Sequence, residues 1–89
     1  MPLAEKLKLL YNIFKKAIEG EREAQKMYKD AIALCEDQET ILTLEVLLKD
    51  EFIHEEKLIE QYKRLREELQ IVESWKTAQI IDEDVSWIY

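Results

Sequence analysis

The chain has 89 residues, 47% of them apolar and 37% charged, which is enough for one small domain. It holds one Gly and one Pro, where an average chain of this length carries about six and four; that excludes a β-rich, turn-rich fold and favours long helices. Twenty acidic residues against 13 basic ones give a net charge of −7 and argue against binding a phosphate backbone, while a single cysteine excludes a disulfide framework and CxxC metal sites.

Pro2 suits the first turn of a helix, where its missing N–H costs nothing. From Leu3 an apolar stripe recurs at alternating steps of four and three: Leu3, Leu7, Leu10, Phe14, Ala17, Ala24, Tyr28, Ala31 and Cys35, interrupted only by Glu21. This spacing predicts a helix over about 3–36. Gly20 falls in its middle, where it costs roughly 1 kcal/mol relative to Ala, and is expected to mark either close approach of a neighbouring helix or a flexible point. The polar run Glu36-Asp37-Gln38-Glu39 reads as a connection, with Asp37 as the N-cap of a second helix.

That second helix is predicted over about 38–71 from the stripe Ile41, Leu44, Leu48, Glu51, Glu55, Leu58, Tyr62, Leu65 and Leu69, with Leu47 and His54 on its flank. Folded antiparallel about residue 36, the two stripes fall in register: Leu3 meets Leu69, Leu7 meets Leu65, Leu10 meets Tyr62, Phe14 meets Leu58, and Glu21 meets Glu51. The fold class is therefore all-α, an antiparallel two-helix hairpin over 1–71. The segment 72–89 loses the period, carries both tryptophans and ends in Trp87-Ile88-Tyr89; it reads as a tail with a short helix over 74–81 capped by Ser74.

Two helices cannot enclose a core of useful size. Further apolar positions, among them Leu9, Ile13, Met27, Ile32, Leu34, Phe52 and Ile59, find no partner within one hairpin. The hairpin is expected to form a homo-oligomer, at minimum a dimer that completes a four-helix bundle, with a larger ring as a further option.

Two carboxylates facing each other inside an apolar seam are costly unless a cation compensates them. His54 lies three residues after Glu51, so both project from one helical face as Glu-x-x-His. Glu21, Glu51 and His54 are thus half of a metal site. Two hairpins about a dyad supply four carboxylates and two imidazoles, the ligand set of di-iron carboxylate bundles. Mixed oxygen and nitrogen ligation suits iron, or manganese as the alternative, better than structural zinc. Glu55, opposite Ala17, either joins this site or turns outward; Glu23, Glu56 and Asp50 read as solvated helix surface.

The stretch Ala17-Ile18-Glu19-Gly20-Glu21-Arg22-Glu23-Ala24-Gln25-Lys26-Met27-Tyr28 resembles the first helix of rubrerythrin-type ferritin-like proteins, and Asp50-Glu51 through His54-Glu55 resembles their second ligand motif. Those proteins carry four helices in one chain. With two, this chain is similar to the encapsulated ferritins, which resemble half a ferritin and build a di-iron ferroxidase centre between subunits. The resemblance spans roughly residues 10–66. It implies that Glu21 and Glu51 are iron ligands, one of them bridging, that His54 is a terminal ligand, that Tyr28 lies near the metal, and that Glu23 lines a route for incoming iron.

The expected activity is oxidation of Fe(II) to Fe(III) for iron storage or detoxification, with Glu21, Glu51 and His54 as the catalytic and metal-binding residues. The alternatives are a rubrerythrin-like peroxidase drawing electrons from an external donor, and a non-catalytic helical hairpin. No apolar run approaches the roughly 20 residues that span a bilayer, and the N-terminal stretch lacks a signal-peptide pattern. The expected location is cytoplasmic, and the resemblance adds residence inside an encapsulin shell as an option, with neither nucleic acid nor membrane as a partner.

Overall fold

A computed structural model describes residues 2–75, and the side chains of 2–72. Helix α1 runs Leu3–Leu34 and helix α2 runs Gln38–Trp75, and the two pack antiparallel as a hairpin measuring 58 × 22 × 16 Å. Its thickness is that of one layer of helices. The chain is all-α, as the periodicity implies. Among the described residues no helix is long and apolar enough to cross a membrane.

The helix ends follow from local hydrogen bonding. Pro2 caps α1, its carbonyl accepting from the Lys6 N–H at 3.1 Å. At the other end Cys35 is extended (φ −86°, ψ 138°), and its N–H donates to the Ile32 carbonyl at 3.2 Å, closing the last turn. α1 therefore stops at Leu34, leaving 35–37 as the connection. The Asp37 carboxylate accepts from the Thr40 N–H at 3.0 Å, satisfying a backbone donor that a helix start leaves without a partner, and from the Thr40 hydroxyl at 2.5 Å. α2 continues through Ser74 to Trp75, beyond the point where its apolar period lapses, so Ser74 lies inside α2 instead of capping a separate helix. The rest of the tail, with most of the segment expected as a short third helix, lies outside the described residues.

The core occupies the end of the hairpin away from the connection. Tyr11, Ile18 and Tyr62 form one buried cluster, flanked by Phe14, Leu58, Ile59 and Leu65; Ala4, Leu7 and Leu69 form another, flanked by Leu65 and Val72. The rings of Tyr11 and Tyr62 stack, with centroids 4.3 Å apart and planes 18° apart.

On α2 the packed positions are those of the expected stripe. On α1 only half of the expected stripe faces its partner. Leu7, Phe14 and Glu21 are in the seam, but the alternate row is Ala4, Tyr11, Ile18 and Gln25 instead of Leu3, Leu10, Ala17 and Ala24. Leu3 is exposed and Leu69 is buried against Ala4 and Leu7, while Leu10, 43% exposed, gives its place against Tyr62 to Tyr11. A Cβ added at exposed Gly20 would meet nothing within 4 Å, so no helix of this chain approaches it closely.

This rotation of α1 gives the hairpin two unlike faces. At 100° per residue, Leu10, Ile13, Ala17, Ala24 and Met27 lie to one side of the seam on α1, and Leu47 and His54 lie to the same side on α2. Leu3, Leu9, Leu10, Ile13, Met27 and Leu47 are all exposed. The other face carries Arg22 paired with Glu55, and the Lys29 ammonium 5.3 Å from the centre of the Phe52 ring.

Candidate metal centre

Glu21 and Glu51 occupy heptad positions on opposing helices at one height, and His54 is one turn on from Glu51 along α2. The His54 Nδ1 lies 3.6 Å from Glu21 Oε2 and 3.9 Å from Glu51 Oε2. One donor atom from each of the three lies within 4.8 Å of the other two. Two ligands on an ion about 2.1 Å away are at most about 4.2 Å apart, so a small adjustment of side-chain torsions brings all three onto one ion.

Burial differs across the group. The Glu21 and Glu51 side chains are 20% and 19% exposed, whereas that of His54 is 54% exposed. The carboxylates are anchored near the seam and the imidazole stands at its rim, on the face that also carries the exposed apolar side chains. Glu21 Oε2 is shielded from solvent and makes no hydrogen bond. A carboxylate oxygen in that situation normally finds a donor, and its neighbours in the group are an imidazole nitrogen at 3.6 Å, beyond hydrogen-bond distance, and the Glu51 carboxylate, which offers no proton when ionised. A cation would satisfy it. Hard carboxylate oxygens with one imidazole match the preferences of iron and manganese.

The other residues singled out from the sequence fall elsewhere. Glu55 is not turned towards this group. Arg22 Nε donates to its Oε1 at 2.5 Å and Gln25 Nε2 to its Oε2 at 3.2 Å. Desolvation alone would raise the Glu55 pKa, but these two hydrogen bonds, with the charges of Arg22 and Lys29, outweigh it and hold the carboxyl below its ordinary value of 4.5. Tyr28 is half-buried, two turns along α1 from Glu21 and outside the converging group. Glu23 is exposed and, by helical phase, points well away from it.

Sequence reasoning missed Arg22 and Gln25. Glutamine is ordinarily a surface residue, yet Gln25 is 6% exposed. Its signal was positional: it continues the seven-residue spacing of Ala4, Tyr11 and Ile18. Comparison with known protein families, curated proteins and solved structures returned no match.

Proposed function

We propose that the chain is half of a four-helix bundle and that two copies build a di-iron ferroxidase centre from Glu21, Glu51 and His54 of each. The observation that carries this reading is the convergence of two partly buried carboxylates, one with an unsatisfied oxygen, and one imidazole. One hairpin offers three ligating side chains, too few for two ions; a second hairpin across a dyad doubles them to four carboxylates and two imidazoles. The arrangement of surfaces supports the same reading, because the group opens onto the face where Leu10, Ile13, Met27 and Leu47 are exposed.

Fe(II) is the substrate. Two Fe(II) ions give up one electron each, and the pair reduces dioxygen to hydrogen peroxide, or hydrogen peroxide to water, with protons from solvent. Anionic carboxylates favour the more highly charged product ion, and ligation by so few side chains leaves coordination positions for the oxidant. The excess of acidic residues raises the local concentration of Fe(II). The resemblance to encapsulated ferritins agrees with this activity, and residence in a shell would supply the storage volume that a hairpin pair lacks.

Anaerobic titration with Fe(II), followed by exposure to air, tests the reading. The expected result is binding of about one iron per chain and oxidation faster than in buffer, both lost in His54→Ala. Absence of binding, or oxidation indifferent to His54→Ala, would return the chain to the status of a structural hairpin.

A further inference from the structure

We propose that Arg22, Gln25 and Glu55 form a positioning clamp that sets the register of α1 against α2 at the level of Glu21, Glu51 and His54, and that the affinity of the metal centre depends on it. The inference rests on the metal-binding reading of that centre.

The case begins with where packing stops. Every fully buried apolar side chain among the described residues lies between the free ends of the helices and the level of Ile18 and Tyr62. Towards the connection, Ile41, Leu44 and Leu48 are only half-buried. The metal ligands therefore stand where close apolar packing gives out, and such packing cannot alone hold two helices to the tenths of an ångström that coordination needs. What crosses the seam there instead is polar. Arg22 is the residue after Glu21, and Glu55 is the residue after His54 and one turn from Glu51. Their 2.5 Å contact joins the two backbones beside the ligands, and Gln25, one turn from Glu21, binds the second oxygen of the same carboxylate at 3.2 Å.

Both oxygens of Glu55 are thereby engaged, so it is withheld from the metal while its neighbours are presented to it. Gln25 also occupies a core position of the heptad, where a polar side chain costs stability and in return specifies one register. An apolar residue there would pack in several registers. The charged-and-amide arrangement fits only one.

A Co(II) titration followed by visible absorption, on the full chain, tests the clamp with four proteins: wild type, Glu55→Ala, Glu55→Gln and Gln25→Leu. Removal of groups that orient ligands typically weakens a metal about 10–100-fold, and Glu55→Ala is expected in that range with an altered spectrum. Glu55→Gln removes the same charge but keeps groups able to bond Arg22 and Gln25, and is expected to stay within about threefold of wild type. Gln25→Leu is expected to melt higher than wild type and yet bind Co(II) more weakly, an opposition that a merely structural role would not produce. Equal losses in Glu55→Ala and Glu55→Gln would assign the effect to charge and overturn the proposal, as would unchanged affinity in Glu55→Ala or in Gln25→Leu. Failure of wild-type protein to bind Co(II) would overturn the metal reading and the clamp with it.

Discussion

On the proposed reading Glu21 is the residue on which the chemistry turns, and its position would make opposite demands with and without metal. Its Oε2 is shielded and makes no hydrogen bond, with the Glu51 carboxylate close by. In metal-free protein it is a destabilising group, so Glu21→Met, which keeps the length and removes the charge, should raise the unfolding free energy by about 1–2 kcal/mol. With metal at about a hundred times its Kd, wild-type protein should gain about 2.7 kcal/mol and the variant almost nothing. Urea denaturation with and without Mn(II) measures both differences; a variant less stable than wild type in the absence of metal would contradict this account of Glu21. The group was legible in the sequence because carboxylates are rare inside an apolar period, and two at one height with a histidine one turn away are rarer still. Arg22 and Gln25 carried no such contrast. Arginine beside a helix seam is ordinary, Gln25 showed only as a polar residue continuing the row Ala4, Tyr11 and Ile18, and the contact with Glu55 is what gives both a role.

At the scale of the element, the start and the packed stripe of α2 were legible though its end at Trp75 was not, and the packed stripe of α1 was legible only in part, for a physical reason. The stripe of α2 holds its regular apolar row, Leu44, Leu48, Leu58, Tyr62, Leu65 and Leu69, while its other apolar residues, among them Leu42, Val46, Phe52 and Ile53, fall at scattered positions and stay exposed. α1 has apolar residues on two adjoining rows: Leu3, Leu10, Ala17, Ala24 and Ala31 on one, Ala4, Tyr11, Ile18 and Ile32 on the other. Periodicity shows that the arc is wide without saying which edge meets α2 and which is left over. Size decides it, since Tyr11 and Ile18 fill the seam that Leu10 and Ala17 would leave less completely filled. The N-cap was legible because Asp37 ends a polar run just before the period resumes. Its carboxyl is held below the ordinary 3.8 by the Thr40 hydroxyl and then the Thr40 N–H, as that of Glu55 is held below 4.5 by Arg22 and Gln25 against desolvation. Both are depressed in the folded state, so each contributes stability that is complete above its ordinary pKa and lost as pH falls through the lowered folded value. Thermal unfolding should therefore be insensitive to these two groups from pH 7 to about 5 and decline below about 4.5. The double variant Asp37→Asn with Glu55→Gln should flatten that decline, and an unchanged acid limb would show that other carboxylates govern it.

At the scale of the molecule, the two faces of the hairpin allow the proposed assembly to be tested. The face bearing His54 also bears Ile13, 59% exposed, whereas Val46, 60% exposed, lies on the outer side of α2 away from it. The two residues are matched in exposure and differ in place, which makes them a controlled pair. If a second copy completes the metal centre, Ile13→Asp inserts a charge into the buried interface, and sedimentation should shift towards the 10.7 kDa monomer, with iron stoichiometry falling in parallel; Val46→Asp should leave both unchanged. Dilution supplies an independent check. A site within one chain binds metal with an affinity independent of protein concentration, but a site shared by two chains weakens once the chains separate. Apparent iron affinity should therefore fall as wild-type protein is diluted through its dimer dissociation constant, and should already be low and concentration-independent in Ile13→Asp. Wild-type protein that sediments as a monomer while binding iron at full stoichiometry would place the whole centre within one hairpin and refute the shared site.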